Sequence, residues 1–276
     1  MSLICHLLKL LFQVVAVVVT LSYFLAWYEN ANQNPKLIAA RFTPRSLLLA
    51  LWLILLETGL LSVTVLVNPL GWLHTGQATA SPQQQMPILL LHGLFHNRAC
   101  WWFVKLRLRL HGYHNLHTLN LPPWKDAESL TELIALRVDA LRHATGGEKV
   151  ILVGHSMGGI LARNYLQRRG GADKVAKLVL LGAPNLGSKL IPFAVTRLAR
   201  VLLPNSEFLQ RLNQADFPAG IPVTNIYTRH DNMVVPSSNC KLRSVAEVEL
   251  EKLGHIALLY HPKALNALTA ALKEEP

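Results

Sequence analysis

The stretch from Val150 to Gly159 leaves this chain few folds to choose from. The aliphatic run Val150-Ile-Leu-Val is too short for a helix and reads as a strand buried on both faces, and Ile160 to Arg169 reads as a helix. Between them stands Gly154-His155-Ser156-Met157-Gly158, so the strand must turn into the helix within a few residues. Such a corner strains the backbone of the apex residue and leaves no room for side chains two positions to either side. Gly154 and Gly158 supply that room. The Ser156 hydroxyl then stands clear of the sheet, and the free N–H groups at the start of the helix face any anion formed beside it. A glycine-rich turn that merely packs helix on strand reads the same way, so the rest of a catalytic constellation has to be found.

The sequence around this corner alternates in type. Ile88 to Leu91 is an apolar strand, Trp101 to Leu110 a helix, and Asn115 to Asn120 a strand closed by Leu121-Pro122-Pro123-Trp124. Ser129 to His143 is the clearest helix. Ser129 and Glu132 have capping-box spacing, and Leu130, Leu133, Ile134, Val138 and Leu141 share one face. Val175 to Leu181, Ile221 to Thr228 and Val245 to Glu251 are further strands, and Lys263 to Leu272 closes the chain as an amphipathic helix. Alternation of this kind predicts an α/β domain over residues 87–276, a mostly parallel sheet with helices on both faces. The segment of about 189–218 has no convincing strand and holds Pro192 and Pro204. It reads as a small helical insertion, either a lid or acyl-chain wall or a surface helix of the core.

Ahead of this domain the composition changes. Residues 1–75 contain only Lys9, Lys36, Arg41 and Arg45 as basic residues and Glu29 and Glu57 as acids, so nearly all of the net charge of +11 lies downstream. Two apolar runs, about 10–28 and 46–67, are each long enough to cross a bilayer and predict a transmembrane helical hairpin. The first ends in the interfacial pair Trp27-Tyr28 and lacks a small-x-small cleavage site, which favours an uncleaved anchor over a removed signal. Glu57 falls near the middle of the second run. Its carboxylate is expected to be protonated, turned toward the first helix or held in a segment that is not fully inserted, and it is given no catalytic role. The basic connector and the lack of Lys or Arg between the second run and Arg98 put the connector in the cytoplasm and the domain outside, which in a bacterial cell would be an inner-membrane hairpin with a periplasmic domain; Lys9 and the N-terminal amine argue the other way. Residues 76–86, small and polar, form a linker. No nucleic-acid module is present, so the basic surface suits an anionic membrane, or solubility alone. Cys100 and Cys240 are expected to be unpaired.

The strand ends supply candidate partners for Ser156. Asp231 follows the strand ending at Thr228 and His255 follows the last strand, giving the order Ser, acid, His expected of loops after parallel strands. His255 would take the serine proton while Asp231 orients the imidazole and favours its charged form. His230 and His261 compete as base and Asp216 as acid. The turn His92-Gly93-Leu94 leaves the Leu94 N–H above the sheet, and it pairs with the Met157 N–H as an oxyanion hole.

Four segments together, Leu91-His92-Gly93-Leu94, Gly154 to Gly159, Leu181-Gly182-Ala183-Pro184-Asn185-Leu186-Gly187-Ser188, and Asp231-x-x-Val234-x-Pro236 with Gly254-His255, resemble the α/β-hydrolase fold. The resemblance is to bacterial triacylglycerol lipases and their esterase relatives, and it runs from Pro87 to the C-terminus. It implies carboxylic esters of acyl chains as substrates, with no cofactor and no metal. Ala183 and Asn185 stand where those lipases usually have Thr and His, the insertion is short, and the hairpin is unusual for a mostly secreted group. The same triad would serve an acyltransferase or thioesterase, and a hydrolase-like domain used only for lipid binding or assembly is the non-catalytic reading.

Overall fold

The computed structural model describes residues 3–33, 35, 42–73 and 85–274; Lys36, Arg41 and most of the expected linker lie outside these. Six strands, β1 (Ile88–Leu91), β2 (Leu116–Leu119), β3 (Val150–His155), β4 (Val175–Leu181), β5 (Val223–Thr228) and β6 (Ala246–Leu250), form one sheet in the order β2-β1-β3-β4-β5-β6. All five pairings are parallel. The strand pleat explains why the central strands are apolar at every position. Leu89, Leu91, Leu152, Leu178 and Leu180 point to one face, where α4 (Ala127–Thr145) and α5 (Met157–Arg168) pack. Ile88, Leu90, Val153, Val179 and Leu181 point to the other, under α3 (Trp102–Leu110) and α7 (Pro262–Lys273). The edge strand β6 breaks this pattern with exposed Glu247 and Glu249, charges that discourage a further strand from pairing there.

Two expectations change in detail. The cap of α4 is Asp126, whose carboxylate accepts from Ser129 N–H and Ser129 Oγ, so Ser129 lies inside the helix rather than starting it. The insertion holds one true helix, α6 (Glu207–Gln214), capped by Ser206, and otherwise short 3-10 turns at Ile191–Phe193 and Ala199–Leu202. Leu198, Leu202, Leu209 and Leu212 bury against α5, whereas Phe193 and Val195 are exposed.

The two N-terminal runs are the helices α1 (Leu3–Gln33) and α2 (Pro44–Val67), and Val15, Val19 and Tyr23 of α1 pack on Leu53 of α2. Their outer faces carry Leu3, Phe12, Val17, Phe24, Leu48, Trp52, Leu55 and Leu66, all exposed. Their buried positions are unexpectedly polar: Ser22 on α1, and Glu57, Thr58, Ser62 and Thr64 on α2. Within that polar stripe Ser22, Glu57 and Thr64 face the α/β domain, whereas Ser62 donates to Thr58 O inside α2. At the connector end Lys189 pairs with Glu29 at 2.5 Å and Ser238 with Gln33 at 3.4 Å. Thr64 Oγ1 and Tyr260 OH are 2.8 Å apart, and at the far end Asn97 Nδ2 donates to Asn68 O at 2.7 Å. A crossing hairpin places the connector across the bilayer from the domain. In the structure the domain touches the hairpin at both ends, along a helix of about 36 Å.

Candidate active site

Ser156 occupies the corner between β3 and α5 with φ 54° and ψ −125°, a conformation that non-glycine residues rarely adopt. Its N–H donates to Leu181 O on β4, and its carbonyl accepts from Gly159 N–H, each at 2.9 Å, so the strained residue is held from both sides. The tight corner accounts for both glycines. A Cβ on Gly154 would meet Gly159 N at 2.6 Å, and one on Gly158 would meet His92 O at 2.7 Å. Gly93 lies against the serine from the β1 side, its Cβ position 3.0 Å from Ser156 Cβ. The end of β1, carrying Leu94, and the start of α5, carrying Met157, thus flank the serine.

His92 explains how the β1 loop is fixed. Its Nε2 accepts from Leu121 N–H at 2.8 Å, so the proton sits on Nδ1, which donates to Gly93 O at 2.9 Å. Burial disfavours the charged ring and pushes its pKa down to about 4.

Asp231 and His255 meet as the strand order predicts. The His255 Nδ1 to Asp231 Oδ2 distance is 2.7 Å, and both residues are almost fully buried. Asp231 Oδ1 accepts from the N–H groups of Met233 and Val234 at 2.8 and 2.7 Å, which aims the other oxygen at the imidazole. The proton on Nδ1 leaves Nε2 as the basic nitrogen of the neutral ring. Burial opposes charging of His255, but the Asp231 carboxylate and its hydrogen bond, with a smaller contribution from Glu57, outweigh it and raise the pKa above the ordinary histidine value. The other candidates are engaged elsewhere: His230 Nδ1 accepts from Lys252 N–H, His261 Nδ1 from Lys263 N–H, and Asp216 is exposed.

The serine and histidine sides are joined by His155. Its ring lies 4.7 Å from that of His255, centroid to centroid, and its Nε2 is 3.3 Å from His255 O. His96 stacks on its other side at 6.3 Å. Burial drives the pKa of His155 far down and that of His96 to about 3, so both rings are neutral, and His255 is the member of the row whose charged form is favoured. Among the described residues no group of three His, Cys, Asp or Glu side chains is arranged to hold a metal ion.

A profile of the alpha/beta hydrolase family matches residues 88–230, just over half of the chain. The chain belongs to this family. It is 35% identical over 101 residues to the "Probable esterase PIR7A" of Oryza sativa subsp. indica, a match covering 34% of this chain and 38% of that protein. The chain therefore matches little more than a third of that relative's length. Among solved structures it is similar to Aspergillus fumigatus lipase B, with a TM-score of 0.60 and 18% identity over 73% of this chain and 55% of that one. The mature Bacillus licheniformis lipase BlEst2 gives a TM-score of 0.60 at 18% identity, over 70% of this chain and 96% of that one. The fold is thus shared with these two lipases.

Several residues around the site were not singled out from sequence for the roles they take here. Asn232 accepts from His255 N–H at 3.2 Å and donates to Ser22 Oγ at 2.8 Å. Asn185, one of the departures from the lipase pattern, bonds Arg163 at 2.9 Å and Cys240 O at 2.7 Å, while its carbonyl accepts from Asn213. It joins α5, the insertion and the loop after Asp231. Glu57, expected to be a tolerated polar residue of the hairpin, is 1% exposed and bonds the residues that follow His255. The signal was present: it is one of only two carboxylates in the first 75 residues. Cys100 and Cys240 are both free and buried.

Proposed function

We propose that the protein is a membrane-anchored serine hydrolase that cleaves carboxylic esters of acyl chains. The observation that carries this is the Asp231–His255 bond opposite a serine held at φ 54°. Ser156 Oγ attacks the ester carbonyl as His255 Nε2 accepts its proton. The alkoxide of the tetrahedral intermediate is held by the Leu94 and Met157 N–H groups. Collapse expels the alcohol, which takes the proton back from His255, and water then cleaves the acyl-enzyme by the same route. Asp231 holds the tautomer that leaves Nε2 free and stabilises the imidazolium. No cofactor enters these steps.

The hairpin is the anchor, and the contacts at both of its ends favour embedding from one side over crossing. The outward face is apolar from Val14 to Leu25 on α1 and from Leu47 to Leu66 on α2, as an in-plane anchor requires, while Ser22, Glu57 and Thr64 of the polar stripe bond to the domain. Exposed Phe193 and Val195, with exposed Leu186 just ahead of the insertion, support its reading as a small lid or acyl-chain wall.

A fluorophosphonate probe labels the wild type and fails on Ser156→Ala; equal labelling of the two refutes the mechanism. 4-Nitrophenyl esters from C2 to C16, set against emulsified triacylglycerol, separate lipase from esterase, and added alcohol or thiol acceptors reveal acyl transfer. Protease protection in spheroplasts assigns the side, and cysteine labelling in the connector tests whether it shares that side with the domain.

A further inference from the structure

The backbone that carries His255 is built on the hairpin. Glu57 Oε2 accepts from Ile256 N–H at 2.9 Å and Glu57 Oε1 from Ala257 N–H at 2.8 Å. The N–H of His255 itself is received by Asn232, whose amide is held by Ser22 of α1. Three consecutive N–H groups, those of 255, 256 and 257, therefore end on oxygens that belong to the hairpin or are oriented by it. On the other side of His255, a Cβ at Gly254 would overlap Glu57 Cγ, Glu57 Cδ and Tyr23 OH, so the chain is moulded to both helices there. The 3-10 turn Ile256–Leu259 that begins at Glu57 leads to Tyr260, which bonds Thr64 one and a half to two turns further along α2.

A buried carboxylate that receives two adjacent backbone N–H groups is held in a single geometry, and it holds those groups in return. An anchor that only tethers needs no such contact, and burying a carboxylate without one would be costly. We propose that Glu57 is a positioning residue for His255, which makes α2 part of the wall of the active site. This rests on His255 being the base of the proposed reaction. Glu57 fixes where the imidazole stands and adds a second negative charge beside it.

The groups around the ring decide what a pH profile would report. Asp231 bonds it from the loop after β5 and His155 lies beside it from the end of β3, with His96 stacked on His155, while Glu57 of α2 and Tyr23 of α1 lie against the adjoining Gly254. His155 and His96 are held neutral by burial. Asp231, and Glu57 in its ionised form, favour the imidazolium, so removing the Glu57 carboxylate lowers the pH at which the base loses its proton.

The test uses the full chain in detergent micelles, with kcat and KM for a 4-nitrophenyl ester measured across pH alongside the rate of fluorophosphonate labelling. Glu57→Gln keeps the shape but loses the charge and one acceptor. The expected result is a fall in kcat of about 10- to 100-fold, the cost of misplacing a catalytic group by up to an ångström. KM stays within about twofold and the acid limb of kcat moves to lower pH. Glu57→Asp keeps the charge but cannot reach both N–H groups, so kcat falls while the limb stays near its wild-type position. Wild-type kcat and pH profile in Glu57→Gln overturn the proposal. If Glu57→Gln does not fold, wild-type kcat in Glu57→Asp overturns it instead. Ser156→Ala and His255→Ala run in parallel. Full activity in those two defeats the hydrolase reading, whereas inactivity in them beside wild-type Glu57 variants defeats only the role given to Glu57.

Discussion

Replacing Gly158 by alanine tests the corner at Ser156 most directly, because the clash it creates is with backbone. The added Cβ would lie 2.6 Å from Leu91 C and 2.7 Å from His92 O, and closer still to Leu91 O. Ordinary contacts of this kind are about 3.4 Å or more, so the end of β1 and the start of α5 must separate by roughly 1 Å or more, with no flexible side chain to absorb it. Overpacking of this kind costs about 1–3 kcal/mol, and for a domain of this size each kcal/mol is worth roughly 2–4 °C in Tm. Catalysis suffers more than stability, because the displacement moves the Leu94 side of the proposed oxyanion hole away from Ser156, and a shift of about 1 Å costs on the order of 100-fold. Differential scanning calorimetry and kcat/KM for a short ester measure both quantities. Gly59→Ala, where nothing lies within 4 Å of the added atom, is the control and should match or exceed the wild type in Tm. A Gly158→Ala protein with the control's Tm and kcat/KM would show that the corner does not hold the serine in the way described.

Activity should fall on the acid side as one proton binds His255, with the half-point above the ordinary histidine pKa of about 6.5, because the folded protein raises this group; a half-point below about 6 would contradict the Asp231 pairing. Stability should show the opposite histidine signature. His92 and His96 have folded pKa values pushed down to about 4 and about 3, so the unfolded chain binds protons that the folded one refuses. Their contribution is complete above about pH 6.5 and is lost as pH falls toward 4. Calorimetry from pH 7 to 4 should give a steadily falling Tm, less steep in His92→Asn. Arg163→Lys should lower Tm by several degrees and speed proteolysis within 190–218. The buried guanidinium donates to Gln167, Asn185 and Asn213 at once, at 2.9 to 3.0 Å, and an ammonium lacks that planar fork. Proteolysis at the wild-type rate would mean that the insertion is held by its leucines alone.

Much of this was legible in the chain. The apolar strands read correctly because both faces of a parallel sheet are buried, which removes the alternation that complicates half-exposed strands. That Asp231 and His255 lie together follows from position alone, since strand ends in such a sheet all open to one edge. Asn232 and His155 were harder: their roles are contacts with His255 across 23 and 100 residues, and no local pattern encodes that. The cap of α4 slipped because Asp126 and Ser129 both suit a helix start, and the carboxylate won as the stronger acceptor. The hairpin was read by length and hydropathy, which measure what a helix shows to lipid. Its polar stripe, Ser22, Glu57 and Thr64, records instead what it shows to the domain.

That stripe bears on how the protein can be handled. Trimming a membrane anchor is the usual route to a soluble catalytic domain, and residue 85 is the obvious place to begin. Here the cut would leave Gly254, Asn232 and Tyr260 facing water with their partners gone, and the turn that presents His255 without its cap. Such a fragment would be a domain missing a subunit, and supplying residues 1–73 as a separate chain is the form of rescue its structure calls for.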